Sequence, residues 1–283
     1  MSNSSYVIRN ATRTELDQMI DWARAENWNP GNFDADCFYA ADPSGFWLGV
    51  LDGEAIASLS AVKYGKTFAF VGFYIVRPEF RGQGFGWRLW QTVLAPLGDR
   101  NLALDGVVEQ QANYRKSGFQ LAHCNLRYAG VGGGELPQHP GLVPLAQLPF
   151  AQVAAYDAGF FPGDRATFLH HWLRQPQSTA VGMVVAGELK GYGMVRVSHQ
   201  GYRLGPLFAD DEAIADVLLL ALKSHIPAGT PVYLDVPLIN AAAQRLMAQH
   251  AMSPGFETAR MYTQSLPELP YDRWYGVTTL EVG

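Results

Sequence analysis

One turn constrains this chain more than any other feature. The segment Val76-Arg-Pro-Glu-Phe-Arg-Gly-Gln-Gly-Phe-Gly86 carries three alternating glycines between an apolar run and an amphipathic one. Ahead of it, Phe68–Val76 is almost wholly apolar and rich in β-formers, as a central strand covered on both faces requires. Pro78, which cannot donate to a ladder, ends that strand. Behind it, Trp90, Val93, Leu94 and Leu97 fall on one stripe and predict a helix from 85 to about 97. Gly82, Gly84 and Gly86 remove side chains where the backbone bends into the helix. Glycine also admits positive φ and lets a ligand approach the main chain closely. Successive N–H groups, with the helix N-terminus, then form a concave anion site, and Arg81 adds a fixed positive charge beside it. A phosphate or pyrophosphate suits such a turn.

Of two common phosphate motifs, one is excluded and the other matches weakly. A P-loop ends in Gly-Lys-Ser/Thr, which is missing here. A dinucleotide fingerprint opens a βαβ unit with GxGxxG, whereas this strand is preceded by other strands and its glycines alternate.

The rest of the chain sets the frame. With 283 residues it is long enough for two domains of about 140 residues. A 48% hydrophobic, 17% charged composition supports a sizeable core. The net charge of −5 argues against a nucleic-acid partner. Two cysteines, Cys37 and Cys124, exclude a disulfide framework and suit a reducing compartment. The start, Met-Ser-Asn-Ser-Ser-Tyr6, has no leader pattern, and apolar stretches such as 217–222 fall far short of the ~20 residues of a membrane helix. A soluble, cytoplasmic protein without membrane contact is expected; oligomeric state is not readable.

Thr12-Arg-Thr-Glu15 reads as a capping box before a helix carrying Leu16, Met19, Ile20 and Ala23. Strands are predicted at Phe46–Leu51, 55–62, Phe68–Val76, 102–108 and 119–128, with a short helix at 110–117 closed by Gly118. Gly130-Val-Gly-Gly-Gly134 and the prolines after it mark a linker at 131–148. The tail of the first half then recurs in the second. Leu104-Asp105, Gly118-Phe119 and Arg127-Tyr128 are echoed by Leu234-Asp235, Gly255-Phe256 and Arg260-Met-Tyr262, which suggests an internal duplication.

Val76-x-Pro78-x-x-Arg81-Gly82-x-Gly84-x-Gly86, in this setting, resembles the acetyl-coenzyme A binding motif of the GCN5-related N-acetyltransferase (GNAT) superfamily. The resemblance covers about residues 6–130, and the second half resembles the reduced C-terminal copy found in two-domain members. It implies an α/β fold with mixed sheets in tandem GNAT-like acyl-CoA N-acyltransferase domains: a catalytic one at 1–130, a linker at 131–148 and a degenerate one at 149–283. It further implies that main-chain groups of Tyr74, Ile75 and Val76 pair with the pantetheine arm of acetyl-CoA. The amides of Arg81, Gly82, Gln83, Gly84, Phe85 and Gly86 would hold its pyrophosphate, with Asn113 and Lys116 as further candidate contacts. Tyr114 matches the tyrosine that protonates the departing thiolate, a sound choice because a phenol donates a proton without carrying charge. Val107 stands where the family often has an asparagine, which leaves contacts from the following helix open.

The second half reads Arg203-Leu-Gly-Pro-Leu-Phe-Ala-Asp-Asp-Glu212 at the equivalent turn, with Asp210, Asp211 and Glu212 where a phosphate would lie. One cofactor site per chain is therefore expected. The acceptor would be a small-molecule or peptide amine. The resemblance places its loop at Asn27-Trp28-Asn29-Pro30, so Trp28, Asn29 and Phe33 are candidate contacts. Asp235, Asn240 and Arg260 of the second half could close over it, and Asp105 is a further candidate contact. A base for the amine could be Asp105, Glu109, Asp34 or Asp36. The histidines show no ligand spacing, and no metal is expected. The reading is acetyl transfer by direct attack on the thioester; transfer of a larger acyl group and a non-catalytic acyl-CoA sensor stay open beside it.

Overall fold

A computed structural model describes residues 5–283; residues 1–4, part of the stretch read above for a leader, lie outside the described residues. The first half runs β1 (Tyr6–Asn10), α1 (Arg13–Ala25), α2 (Asp34–Ala41), β2 (Phe46–Leu51), β3 (Glu54–Tyr64), β4 (Phe68–Val76), α3 (Phe85–Leu94), β5 (Asn101–Val107), α4 (Gln111–Lys116) and β6 (Gln120–Val131). The second runs β7 (Leu142–Pro144), α5 (Phe150–Asp157), α6 (Ala166–Trp172), β8 (Ser178–Val185), β9 (Glu188–Val197), β10 (Tyr202–Ala209), α7 (Glu212–Ser224), β11 (Pro231–Pro237), α8 (Ala241–Gln249), β12 (Ser253–Tyr262) and β13 (Trp274–Gly276).

The capping box at Thr12 and Glu15 is present, and Leu16, Met19, Ile20 and Ala23 are the buried face of α1. Helix α3 stops at Leu94, three residues earlier than its stripe suggests. Pro96 supplies no N–H, so the chain tightens into a 3₁₀ turn at Ala95–Leu97. Sequence reading placed neither α2 nor β7, and it left β1, α5, β8, β9 and β13 unplaced as well. Helix α2 begins at Asp34, and its N-cap residue Phe33 makes no side-chain cap; tertiary packing holds the helix, with the Phe38 ring 5.9–6.5 Å from those of Phe73, Phe168 and Trp172. Strand β7 lies inside the segment read as a linker and pairs with β8.

Thirteen strands form one sheet, in the order β1-β2-β3-β4-β5-β12-β6-β11-β10-β9-β8-β7, with β13 on β10. The halves interlock. Strand β12 of the second half lies between β5 and β6, and β6 of the first pairs onward with β11. Helices cover both faces. Leu89, Trp90 and Val93 of α3 pack on Ile56, Leu59 and Val71 on one side, joined by Ala259 and Met261 of β12. Leu16, Met19, Phe38 and Trp172 pack on Phe46, Phe70 and Phe73 on the other. In the second half α7 and α8 cover β10 and β11 through Leu218, Leu222, Leu246 and Met247. No helix among the described residues is long and apolar enough to cross a membrane.

Two irregularities shape the site. Parallel pairing of β4 with β5 runs only from Phe68↔Asn101 to Val71↔Leu104. Opposite it, β4 takes three steps from Gly72 to Ile75 while β3 takes two from Ser60 to Ser58. That bulge is centred on Phe73, a non-glycine residue at φ 48°, and it lies just before the stretch singled out from the sequence.

Candidate active site

Beyond Val71 and Leu104 strands β4 and β5 no longer pair, and a cavity of about 580 Å³ opens between them. Its walls include residues 72–76 of β4, 104–107 of β5, the turn glycines, and Trp87, Trp90 and Tyr114. An unpaired strand edge beside a wedge of this kind accepts an extended ligand as an added strand.

The three glycines act differently. Gly82 and Gly84 have φ of 76° and 83°, and Gly84 is the N-cap of α3. Gly86 is needed for packing: a Cβ there would lie 2.6 Å from Val76 Cγ2 and 2.9 Å from the Tyr74 hydroxyl. No side chain caps α3, so its leading N–H groups have no intrahelical acceptor. The last loop amide to pair is that of Arg81, with Pro78 O; ladder bonding resumes from Arg88 to Gly84 O. Arg81 turns its guanidinium to the Val76 carbonyl (2.7 Å) and to Glu26 at the end of α1. Gln83 bonds the Glu79 carbonyl, and Phe85 packs against Tyr6 with ring centroids 4.9 Å apart.

Tyr114 is buried against Gly106, where an added Cβ would meet its ring at 2.2 Å. Burial, with a contribution from Tyr74, pushes its phenol up to about 12. Asn113 and Lys116 are exposed, bond to each other at 3.1 Å, and are not among the residues lining the cavity.

At the acceptor end the candidates separate. Trp28 lines the cavity, and its carbonyl accepts from Arg127 (2.8 Å) and Arg203 (3.1 Å). The Asn29 side chain is spent on the Gln200 backbone, and Phe33 is not among the lining residues. Asp105 lines the cavity, but its side chain is fully buried, with both oxygens on Arg260 at 2.7 and 2.6 Å. Asp235 sits between Arg127 and Arg203 and not on the cavity wall. Asn240 caps α8. Of the other base candidates, Asp34 is buried on Arg196, Asp36 pairs with Arg13 at the surface, and Glu109 is exposed.

The four wall residues from the second half escaped sequence reading: Phe256 and Thr258 of β12, and Leu280 and Glu281 of the buried segment 277–283. Only the Gly-Phe echo at 255–256 hinted at any of them. Neither cysteine is placed to act as a nucleophile, since burial pushes Cys37 up to about 12 and Cys124 to about 11. Among the described residues no group of three or more His, Cys, Asp or Glu is placed to hold a metal ion. In the second half, Asp211 caps α7 by accepting from the Ile214 amide at 2.8 Å.

Comparison with known proteins agrees with this geometry. The sequence pattern of the "Acetyltransferase (GNAT) family" matches residues 13–119, and that of the "Acetyltransferase (GNAT) domain" matches 153–276. The holothin acyltransferase of Pseudoalteromonas sp. (strain SANK 73390) is 29% identical over 281 residues, covering 99% of this chain and 96% of that protein. An uncharacterized N-acetyltransferase of Bacillus subtilis (strain 168), YitH, is 22% identical over 66% of both chains. Among solved structures, a putative acetyltransferase from Pyrococcus horikoshii superposes with a TM-score of 0.82 at 22% identity, covering 98% of this chain and 96% of that one. A tandem GNAT protein from the clavulanic acid biosynthesis pathway gives 0.65 at 16% identity, over 93% and 100%. With two family matches on one chain, around a wedge and turn of this form, the chain belongs to the GNAT superfamily of acyltransferases as a two-domain member.

Proposed function

We propose that this protein moves an acetyl group from acetyl-CoA to a primary amine, using one cofactor site in the first half. The observation that carries the reading is the wedge between β4 and β5, with its bulge at Phe73, opening onto the uncapped amides of the glycine turn. The pyrophosphate of the donor lies on the amides of 82–86, and its pantetheine arm pairs with the free edge of 74–76. The bulge at 72–75 turns a main-chain N–H toward the thioester carbonyl, where it stabilises the developing oxyanion. The amine attacks the carbonyl carbon directly, the C–S bond breaks, and the Tyr114 phenol protonates the thiolate.

The 29%-identical relative is named as an acyltransferase without specifying acetyl, so a longer acyl group is the second reading. Free-thiol release is the test, using acetyl-, butanoyl- and hexanoyl-CoA against a broad panel of primary amines. Amine-dependent release fastest with acetyl-CoA is expected. A preference for a longer chain moves the donor to that acyl group, and acyl-CoA binding without release under any amine makes the protein a sensor. Titration calorimetry is expected to give one acyl-CoA per chain; two equivalent sites would overturn the single-site reading.

A further inference from the structure

We infer that Glu281 is the base that takes the proton from the acceptor amine, an assignment that rests on the acyl-transfer reading above. The segment 277–283 is buried, and it crosses β4 at its irregular point. A Cβ on Gly72 would lie 2.0 Å from the Glu281 carbonyl oxygen, so this segment can pass only because residue 72 is glycine. Phe73, the centre of the bulge, is the next residue. Glu281 therefore lines the cavity beside the bulge, where the acyl-transfer reading sets the thioester carbonyl.

Its carboxylate differs from the other buried ones. Asp34, Asp105, Asp157 and Asp235 each carry an arginine guanidinium in direct contact. Glu281 is 3% exposed and has no ion-pair partner within 4 Å among the described residues. Its side chain accepts one hydrogen bond, from the Thr279 hydroxyl, which leaves the other carboxylate oxygen uncommitted. At longer range the charges around it are mixed: Asp105, held by Arg260, feels Glu281 as a like charge. Asp235 sits between two guanidiniums, Arg127 and Arg203, and both feel Glu281 as a neighbouring negative charge. Thr258, buried on the same cavity wall with an unpartnered hydroxyl, provides a second polar contact for the acceptor.

The step balances. The neutral amine attacks and forms the C–N bond; Glu281 removes the proton from the now positive nitrogen; the C–S bond breaks and Tyr114 protonates the thiolate. Exchange with water returns the proton from Glu281 to Tyr114, leaving amide and free thiol.

The test compares the wild type with Glu281→Gln and Glu281→Met, one retaining hydrogen bonding and the other apolar bulk. Both keep the volume, and replacing an unpaired buried carboxylate by a neutral group of similar size does not cost the fold. Acyl-CoA affinity is expected to stay within about threefold. The turnover number at pH 7 should fall by about 100-fold or more with a strongly basic amine. The loss should shrink with rising pH and with weakly basic aromatic amines, whose nitrogen gives up its proton to water readily once attack has made it positive. Turnover by both folded variants within threefold of the wild type overturns the assignment, as does a loss that ignores pH and amine basicity. A wild-type protein that releases no thiol with any amine overturns the acyl-transfer reading itself, and this assignment with it.

Discussion

Replacing Tyr114 by phenylalanine removes one hydroxyl from a ring that Gly106, Trp90 and Phe119 already hold in place. Turnover should fall by about 100-fold while the acyl-CoA dissociation constant stays within about threefold. The pH profile follows from burial. A general acid works only while protonated, and this phenol loses its proton only as pH rises toward about 12. Wild-type turnover between pH 7 and 10 should show no alkaline decline from this group. His123 gives the opposite case for stability. Burial, and then Arg260, lower it from 6.5 to about 3, and neither ring nitrogen has a hydrogen-bond partner among the described residues. A histidine kept neutral in the fold contributes stability that is present above its unfolded pKa and lost as pH falls toward its folded one. Acid unfolding followed by circular dichroism should therefore begin below about pH 6.5. In His123→Phe, whose ring suits the neighbouring Tyr271 and Trp274, the midpoint should move to lower pH.

The glycine turn is an element whose backbone and whose charge can be tested separately. Gly84 is at φ 83° with open space where a Cβ would be. Gly84→Ala should thus keep the fold and lose about 1–2 kcal/mol in denaturant unfolding. Gly84→Asp should melt near Gly84→Ala yet bind no acyl-CoA by calorimetry, because it sets a carboxylate among the amides proposed above to hold the pyrophosphate. This turn was legible because strand, breaker, glycine and amphipathic helix each leave a local mark in the sequence. The bulge was harder to place, since Phe73 enters positive φ without the glycine or asparagine that usually announces it. Helix α2 has no capping side chain, and β7 is three residues long. Segment 277–283 has neither period nor motif, so Glu281 could be found only from the path of the chain over Gly72. Charged candidates were the least legible class. Sequence offers Asp105, Asp235 and Arg260 as polar groups near strand ends, and three-dimensional pairing decides that Arg260 holds Asp105 while Arg127 and Arg203 hold Asp235.

At the scale of the whole molecule, the two halves recur in sequence but do not close separately. Strand β12 pairs with β5 along Thr258↔Val107 to Tyr262↔Ala103, and β6 pairs with β11 from Pro231↔Val131 to Pro237↔Asn125. A chain cut at residue 140 should yield fragments that aggregate or stay unfolded alone and regain native circular dichroism when coexpressed. A well-folded fragment 1–140 would show the exchange to be dispensable. The same exchange supplies the cavity with Phe256 and Thr258, while Arg127 and Arg203 fix the Trp28 carbonyl from either side of Asp235. The second half is therefore not free to decay. A lineage that shed it would lose the inner ribbon of its working partner, so relaxed selection can reach the outlying loops of the later copy but not the ribbon it lends.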